Sequence, residues 1–326
     1  MNGFGRIFRI NIFGESHGEV VGICIDGCPA GITIAETDFL NDIERRKSGA
    51  KGTTLRIEND IPEIVSGVFN GFTTGAPITI LFKNENTESD NYLKFKTQPR
   101  PGHADFVAAK KFNGFNDYRG GGHFSGRLTL PLVAAGVIAK KIVTNININA
   151  KLISVCNEKN TDEVISNSIV NGDSVGGIVE CVAKNIPIGL GEPFFDSVES
   201  QISHLAFSIP SIRGIEFGVG FAAANMRGSE HNDTIINDSG KTSTNNAGGV
   251  VGGITNGNDL IFRVAVKPTS SIAKQQQTFD FENKKISDLK IIGYHDACIA
   301  LRVPVIIEAI TAIVLADFTL IKNGYE

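Results

Sequence analysis

Residues 99–129, PRPGHADFVAAKKFNGFNDYRGGGHFSGRLT, bring Arg100, His103, Asp105, Arg119, three consecutive glycines (Gly120, Gly121, Gly122), Ser125 and Arg127 into one short span. Arginine forks clamp carboxylates and phosphates. Glycines let a backbone approach an anion closely and aim its N–H groups at it. A histidine among them can move a proton near neutral pH. The apolar run LPLVAAGVIAKKIV follows directly. It reads as a buried helix, so the glycine-rich loop feeds a helix N-terminus, where anions are favoured.

Four further segments carry reactive or cationic residues in glycine-rich settings. GESHGE (14–19) sets Ser16 and His17 in a turn, and ERRKSGAKGTT (44–54) is a cationic loop with Arg45, Arg46, Lys47 and Lys51. NNAGGVVGGITNG (245–257) leads through a strand to VKPTSSI (266–272), and GYHDAC (293–298) puts His295 and Asp296 ahead of a second apolar run. Taken singly, each has a bland structural reading: a solvated cationic face, a capped turn, a local His–Asp hydrogen bond. Five such segments in one acidic chain point to anion binding with proton transfer. Two other readings fit the residue types. His17, His103, His231, His295 and Asp296 could form a metal-dependent phosphohydrolase site, although none shows local ligand spacing. A non-catalytic anion-binding module would tolerate loss of the histidines.

Positioning these residues requires a sizeable scaffold, and 326 residues suffice for one large domain or two ordinary ones. Hydrophobic content of 41% and charged content of 20% exclude a disordered chain, and a net charge of −4 disfavours non-specific nucleic-acid binding. Five cysteines match no zinc pattern; Cys24 and Cys28 sit in an apolar run as core residues, which suits a reduced cytoplasmic protein. The N-terminus has no apolar signal-peptide core. PVIIEAITAIVLADFTLI (304–321) is interrupted by Glu308 and Asp317 and reads as a buried helix, not a membrane span.

Strands are expected at 7–13, 20–25, 63–69, 78–83, 176–184, 214–225 and 259–267, and a helix from Thr33 capped by Thr33 or Thr37, with Gly49 beyond its end. Apolar helices are expected at 130–142 and 304–321. Helices apolar all round must be covered on all sides. The expected class is therefore α+β, a single-domain sandwich with buried apolar helices inside and sheets outside. A polar, glycine-containing motif followed by a long apolar helix recurs at 119–142 and 293–321 and hints at two related halves within residues 1–326.

The strings FGESHG, DGCPAGI, SGVFNGFTTGAPI, RPGHAD, DYRGGG, SGRLT, VAAGVIAKK, RGSEHND, NNAGGVVGGI, KPTSSI and HDAC…RVPVIIEA occur in the order and near the spacing of chorismate synthases. The chain resembles that family over nearly its whole length. The resemblance implies buried apolar helices between antiparallel sheets and a lyase of the shikimate pathway. It converts 5-enolpyruvylshikimate-3-phosphate to chorismate and phosphate by a 1,4-elimination that needs reduced FMN without net redox change. A cytoplasmic homotetramer, without nucleic-acid or membrane partners, is implied too, with either NADP-type positions at Arg46 and Lys51 or an external flavin reductase. Arg46, Arg100 and Arg127 match substrate-binding positions. His17, supported by Ser16, matches the residue that protonates the departing phosphate. His103 matches the one facing the reduced flavin, Asp296 one assisting proton removal, and Ser125 a relay. FMN contacts map to His123, Phe124, Ser125, Pro210, Ser211, Gly252, Lys267, Pro268, Thr269, Ser270, Ser271 and Tyr294. The sequence departs from the family pattern where His123, Phe124 and Leu128 stand for Arg, Ser and Glu, where Tyr294 stands for Arg, and where RRKSG shortens the RRRPG loop.

Overall fold

Two helices that are apolar on every side dictate the architecture, because each needs cover all round. The computed structural model describes residues 2–54, 56, 58–87, 90–293 and 295–324. The chain begins with β1 (Gly3–Phe4), β2 (Arg9–Gly14) and β3 (Val20–Asp26), then a 3-10 turn leading into α1 (Leu40–Arg46). β4 (Glu63–Ser66), the small hairpin β5 (Val68–Phe69) and β6 (Phe72–Thr73), and β7 (Ile78–Lys83) follow. Next come α2 (Asp105–Lys111), α3 (Thr129–Ile142), β8 (Asn147–Val155), α4 (Thr161–Val170), β9 (Gly177–Lys184), α5 (Val198–Ser208) and β10 (Ile212–Phe217). The last third holds α6 (Gly228–His231), β11 (Val250–Val251), β12 (Ile254–Thr255), β13 (Leu260–Val266), β14 (Gln276–Asp280), β15 (Lys285–Leu289) and α7 (Val303–Asn323).

One antiparallel sheet has the order β1-β2-β3-β7-β4 and the other β10-β13-β9-β8. Alternation along β7 and β13 turns one face of each sheet inward. Helix α3 packs on β3 and β7, α7 packs on β8 and β9, and the two helices pack on each other in the middle. Their closest approach is at Gly136: a Cβ there would lie 2.3 Å from the Ala309 Cβ, so only glycine allows the contact. The arrangement is the α+β sandwich expected, with one main core joining both sheets and both helices.

The polar residues inside α7 serve the fold. Glu308 receives the Arg45 fork at 2.7 and 2.7 Å and the Ala150 N–H at 3.0 Å. Asp317 accepts the N–H groups of Arg6, Ile7 and Phe8 at 2.7–2.9 Å and so ties the N-terminal segment to the core. The apolar window spanning this helix is long enough to cross a membrane, but 78% of it is buried inside the protein.

Several elements differ from expectation. The run expected as a strand over 214–225 is strand only to Phe217 and continues as a 3-10 turn at Gly220–Asn225. Neither Thr33 nor Thr37 caps the first helical turn; Ala35 precedes it, and its N–H is held by the Asp38 carboxylate at 2.8 Å. Cys28 is buried, whereas Cys24 is only partly so.

Candidate active site

The site begins at the turn after β2. Gly120, Gly121 and Gly122 all have positive φ, and the loop folds back until the Ser16 N–H donates to the Gly122 carbonyl at 3.1 Å. Gly120 lies against His17: an added Cβ would stand 2.3 Å from its Cδ2, 2.5 Å from its Nε2 and 2.9 Å from Ser16 Oγ. Tyr92 closes the other side of the imidazole edge-on at 5.2 Å. Arg56 Nη1 faces His17 Nε2 at 3.4 Å and Ser16 Oγ at 3.5 Å. Its remaining donors grip Glu58 at 3.1 and 2.6 Å, and Glu58 also accepts the Glu85 and Asn86 N–H groups. Burial, then the charges of Arg56 and Arg119, push His17 down to about 4; Asp117 and Glu58 oppose them but do not prevail. His17 therefore rests neutral at pH 7.

A second histidine is held by an acid–base ladder. His103 Nδ1 lies 2.6 Å from Asp105 and 3.1 Å from Arg100 Nη2. Arg100 forks onto Asp105 with two bonds of 2.8 Å, donates to Ser271 Oγ at 3.0 Å and stacks on the Phe95 ring. Burial favours the protonated acid at Asp105, yet hydrogen bonds from Arg100 and His103 outweigh it and hold the carboxyl well below its usual range. A neighbouring imidazole, His295, is pushed down to about 4 by burial and then by Arg100, and its buried Nε2 has no hydrogen-bond partner.

The third cluster joins the loops before α3 and α7. Asp296 accepts the Thr54 N–H at 2.9 Å and pairs with Arg302 at 3.5 Å. Arg302 in turn donates to the Arg46 carbonyl at 2.8 Å. Arg46 is fully buried, held by Asp60, Thr129 and the Gly126 carbonyl at 3.2–3.3 Å. Burial and the Arg302 charge lower its pKa to about 9, which leaves it a cation at neutral pH. Arg127 pairs with the other oxygen of Asp60 and reaches Asn84 and the Lys83 carbonyl.

These clusters share one cleft of about 670 Å³. Ser16, Arg46, Arg56, Arg127, His103 and Asp296 line its polar end. Phe4, Ile10, Ile12, Leu132, Leu205 and Ile209 form an apolar wall. His123, Phe124 and Ser125 line the cleft between the two, with Pro210, Ser211, Lys267, Thr269, Ser270 and Ser271 also on its surface. The His123 ring spans the Gly14 carbonyl at 2.9 Å and Asn2 Oδ1 at 3.1 Å. Ser125 caps the turn Gly126–Leu128 that leads into α3, accepting the Arg127 N–H at 3.3 Å. Lys267 donates to Ser270 Oγ at 2.6 Å, and burial with the nearby Arg213 charge lowers its pKa. His17 lies directly behind Ser16 and Gly120, and Arg100 lies behind His103 with its fork occupied by Asp105. Lys51, Pro268 and Gly252 do not line the cleft; Gly252 sits in the turn between β11 and β12. Tyr294 lies outside the described residues.

Sequence reading missed Arg56, Glu58, Asp60, Arg302 and Arg213 as cleft residues, and it singled out His295, which also lines the cleft. The signal for three of them is present in RIEND: Arg56, Glu58 and Asp60 alternate, so an extended backbone presents all three on one side.

An α+β sandwich whose cleft gathers arginines and histidines beside apolar side chains defines a class of enzyme suited to a small polyanion. The chain belongs to the chorismate synthase family, whose family model matches residues 8–320. It is 64% identical over 324 residues to a chorismate synthase of Chitinophaga pinensis, covering 99% of this chain and 98% of that one. Chorismate synthases of Dehalococcoides mccartyi (45% identical; 98% and 96% covered) and Korarchaeum cryptofilum (44%; 96% and 96%) are also similar. A crystal structure of chorismate synthase superposes with a TM-score of 0.75 at 26% identity, covering 98% of this chain and 94% of the other.

Proposed function

We propose that the cleft eliminates phosphate from 5-enolpyruvylshikimate-3-phosphate to give chorismate while reduced FMN lies along the apolar wall. The observation that carries this reading is the convergence of Arg46, Arg56, Arg127, Arg302, His103 and His295 on one cleft, with His17 behind Ser16, that is also lined by apolar side chains. The substrate carries two carboxylates and a phosphate, which need several cationic partners. A flat isoalloxazine suits the wall of Phe4, Ile10, Ile12 and Leu132, and a flavin phosphate suits Lys267, Ser270 and nearby Arg213. Reduced flavin, held by these residues, would supply transient electron density to the elimination without net redox change.

The chain's own residues do the rest. One C–H bond and the C–O bond to phosphate break, and the two electron pairs end in a new C=C bond and on the phosphate. His17 delivers a proton to the departing phosphate oxygen, with Ser16 beside it. Asp296, oriented by the Thr54 N–H and Arg302, assists removal of the proton from carbon. Arg100 fixes Asp105, and Asp105 orients His103, which lines the cleft and would face the flavin; Arg100 thus acts through His103, in place of the direct substrate contact the resemblance implied. Gly126–Thr129 offers the turn at the start of α3 to an anion.

Reduced FMN supplied by a separate reductase fits better than NAD(P)H binding, because Lys51 does not line the cleft. Exposed Phe115, Phe194, Phe195 and Phe221 favour self-association, in keeping with the cytoplasmic homotetramer that the resemblance implies. The experiment is anaerobic turnover of the purified chain with dithionite-reduced FMN. Chorismate is expected with reduced but not oxidised FMN, and equal turnover without flavin would reject the proposal.

A further inference from the structure

We infer that Arg56 makes the acid at His17 conditional on the ligand: the guanidinium adds to burial in keeping the imidazole unprotonated, and a phosphate anion seated on Arg56 cancels that charge and helps His17 take up the proton it delivers. The inference rests on the reading of His17 as the general acid. The geometry is specific. Arg56 Nη1, always a donor, faces His17 Nε2 at 3.4 Å, so that nitrogen must present its lone pair. The same Nη1 is 3.5 Å from Ser16 Oγ, and Arg56 lines the cleft, so an anion entering there meets both. Glu58 anchors the fork from behind through Nε and Nη2, which leaves Nη1 as the end pointing at the histidine.

Other charged groups act on the imidazole as well. Arg119 adds positive charge, but its own fork is paired with Asp117 at 2.8–2.9 Å. Asp117 and Glu58 pull in the opposite direction and are each engaged with an arginine. Tyr92 meets the ring edge-on and Gly120 lies against its Cδ2–Nε2 side. Arg56 is therefore the charged group through which a cleft ligand reaches His17.

The proton balance is simple. On ligand binding Nε2 gains one proton from solvent. As the C–O bond breaks, its electron pair leaves with the phosphate, the Nε2–H proton passes to the phosphate oxygen, and the imidazole returns to neutral. With a midpoint near 4, His17 is protonated in roughly one molecule per thousand at pH 7. A midpoint near 6 raises that roughly a hundredfold. The empty enzyme is thus protected from carrying an idle acid, and acidity appears only with the leaving group in place.

The test needs no flavin. The full chain is labelled with ¹³C at histidine Cε1, the His17 resonance is assigned with His17→Gln, and its pH titration is followed with and without saturating inorganic phosphate. In wild type the midpoint should rise from about 4 toward the ordinary histidine value with phosphate, stopping short of it because burial persists. Arg56→Gln should raise the midpoint without phosphate and abolish the response. Arg56→Lys, which keeps the charge, should keep both the low midpoint and the response. A wild-type midpoint that phosphate leaves unmoved overturns the inference, and that arm decides the matter even if Arg56→Gln fails to fold. Chorismate formation by His17→Gln tests the underlying reading separately: retained turnover would remove His17 as the acid whatever the titration shows.

Discussion

Replacing Gly120 by alanine should abolish most of the activity while leaving the protein folded. The new Cβ would stand 2.3 Å from His17 Cδ2, 2.5 Å from Nε2 and 2.9 Å from Ser16 Oγ. Ordinary carbon contacts lie at about 3.5–4.0 Å, so the imidazole must retreat by more than about 1 Å. Misplacing a reacting group by that distance costs about 10²-fold in rate. A second cost arises because Gly120 has φ of 57°, where a residue with a Cβ loses roughly 1–2 kcal/mol. Gly114→Ala separates the two effects, since Gly114 has φ of 80° and nothing within 4 Å of its Cβ position. Both variants should lose a little thermal stability. Only Gly120→Ala should lose about 10²-fold in chorismate formation under anaerobic conditions with reduced FMN. Turnover of Gly120→Ala within about threefold of wild type, or an equal loss in Gly114→Ala, would refute the reasoning, because each would mean that contact with His17 does not place the acid.

Other outcomes follow from the same contacts. His17 and His295 have folded-state values pushed down to about 4, so the unfolded chain binds more protons between pH 4 and 6.5. Their contribution is therefore complete above about pH 6.5 and lost as pH falls, by on the order of 2–3 kcal/mol each; urea midpoints measured against pH should decline in wild type and flatten in His17→Gln/His295→Gln. Arg100→Ala should cost about 3–5 kcal/mol of stability by stranding the buried Asp105. It should lower kcat more than it raises KM, and a pure KM effect would restore Arg100 to substrate binding. Gly136→Ala should destabilise the protein by about 1–3 kcal/mol, because its Cβ would overlap Ala309 where α3 and α7 meet; an unchanged urea midpoint would mean that the helices can separate freely.

The sequence made the central layer legible because α3 and α7 are apolar all round, a pattern that only a doubly covered helix can satisfy. It made Ser16, His103, Arg127 and Asp296 legible because glycines and turn residues surround them. What it hid has physical causes. Strand β8 (NINAKLISV) and the β14–β15 hairpin carry polar residues on exposed positions, so their apolar alternation is weak. Helix α5 mixes Gln, Ser and His into its stripe although Val198, Ile202, Leu205 and Ala206 are buried. GIEFGVGFAAAN reads as one apolar run, yet Gly218 and Gly220 take positive φ and end the strand. Arg56 and Arg302 were not distinguishable from surface charges, because their importance depends on which imidazole or carboxylate the fold sets beside them. Arg100 shows the converse: its type suits a substrate clamp, but its fork is filled by Asp105 five residues away.

The most direct test of the account counts products against flavin. Purified protein, excess 5-enolpyruvylshikimate-3-phosphate and a small, known amount of reduced FMN are mixed anaerobically, and chorismate, phosphate and flavin oxidation state are measured together. An elimination without net redox change predicts equal chorismate and phosphate, many of each per flavin, and flavin still reduced at the end. Phosphate without chorismate, or one product per flavin oxidised, would contradict it.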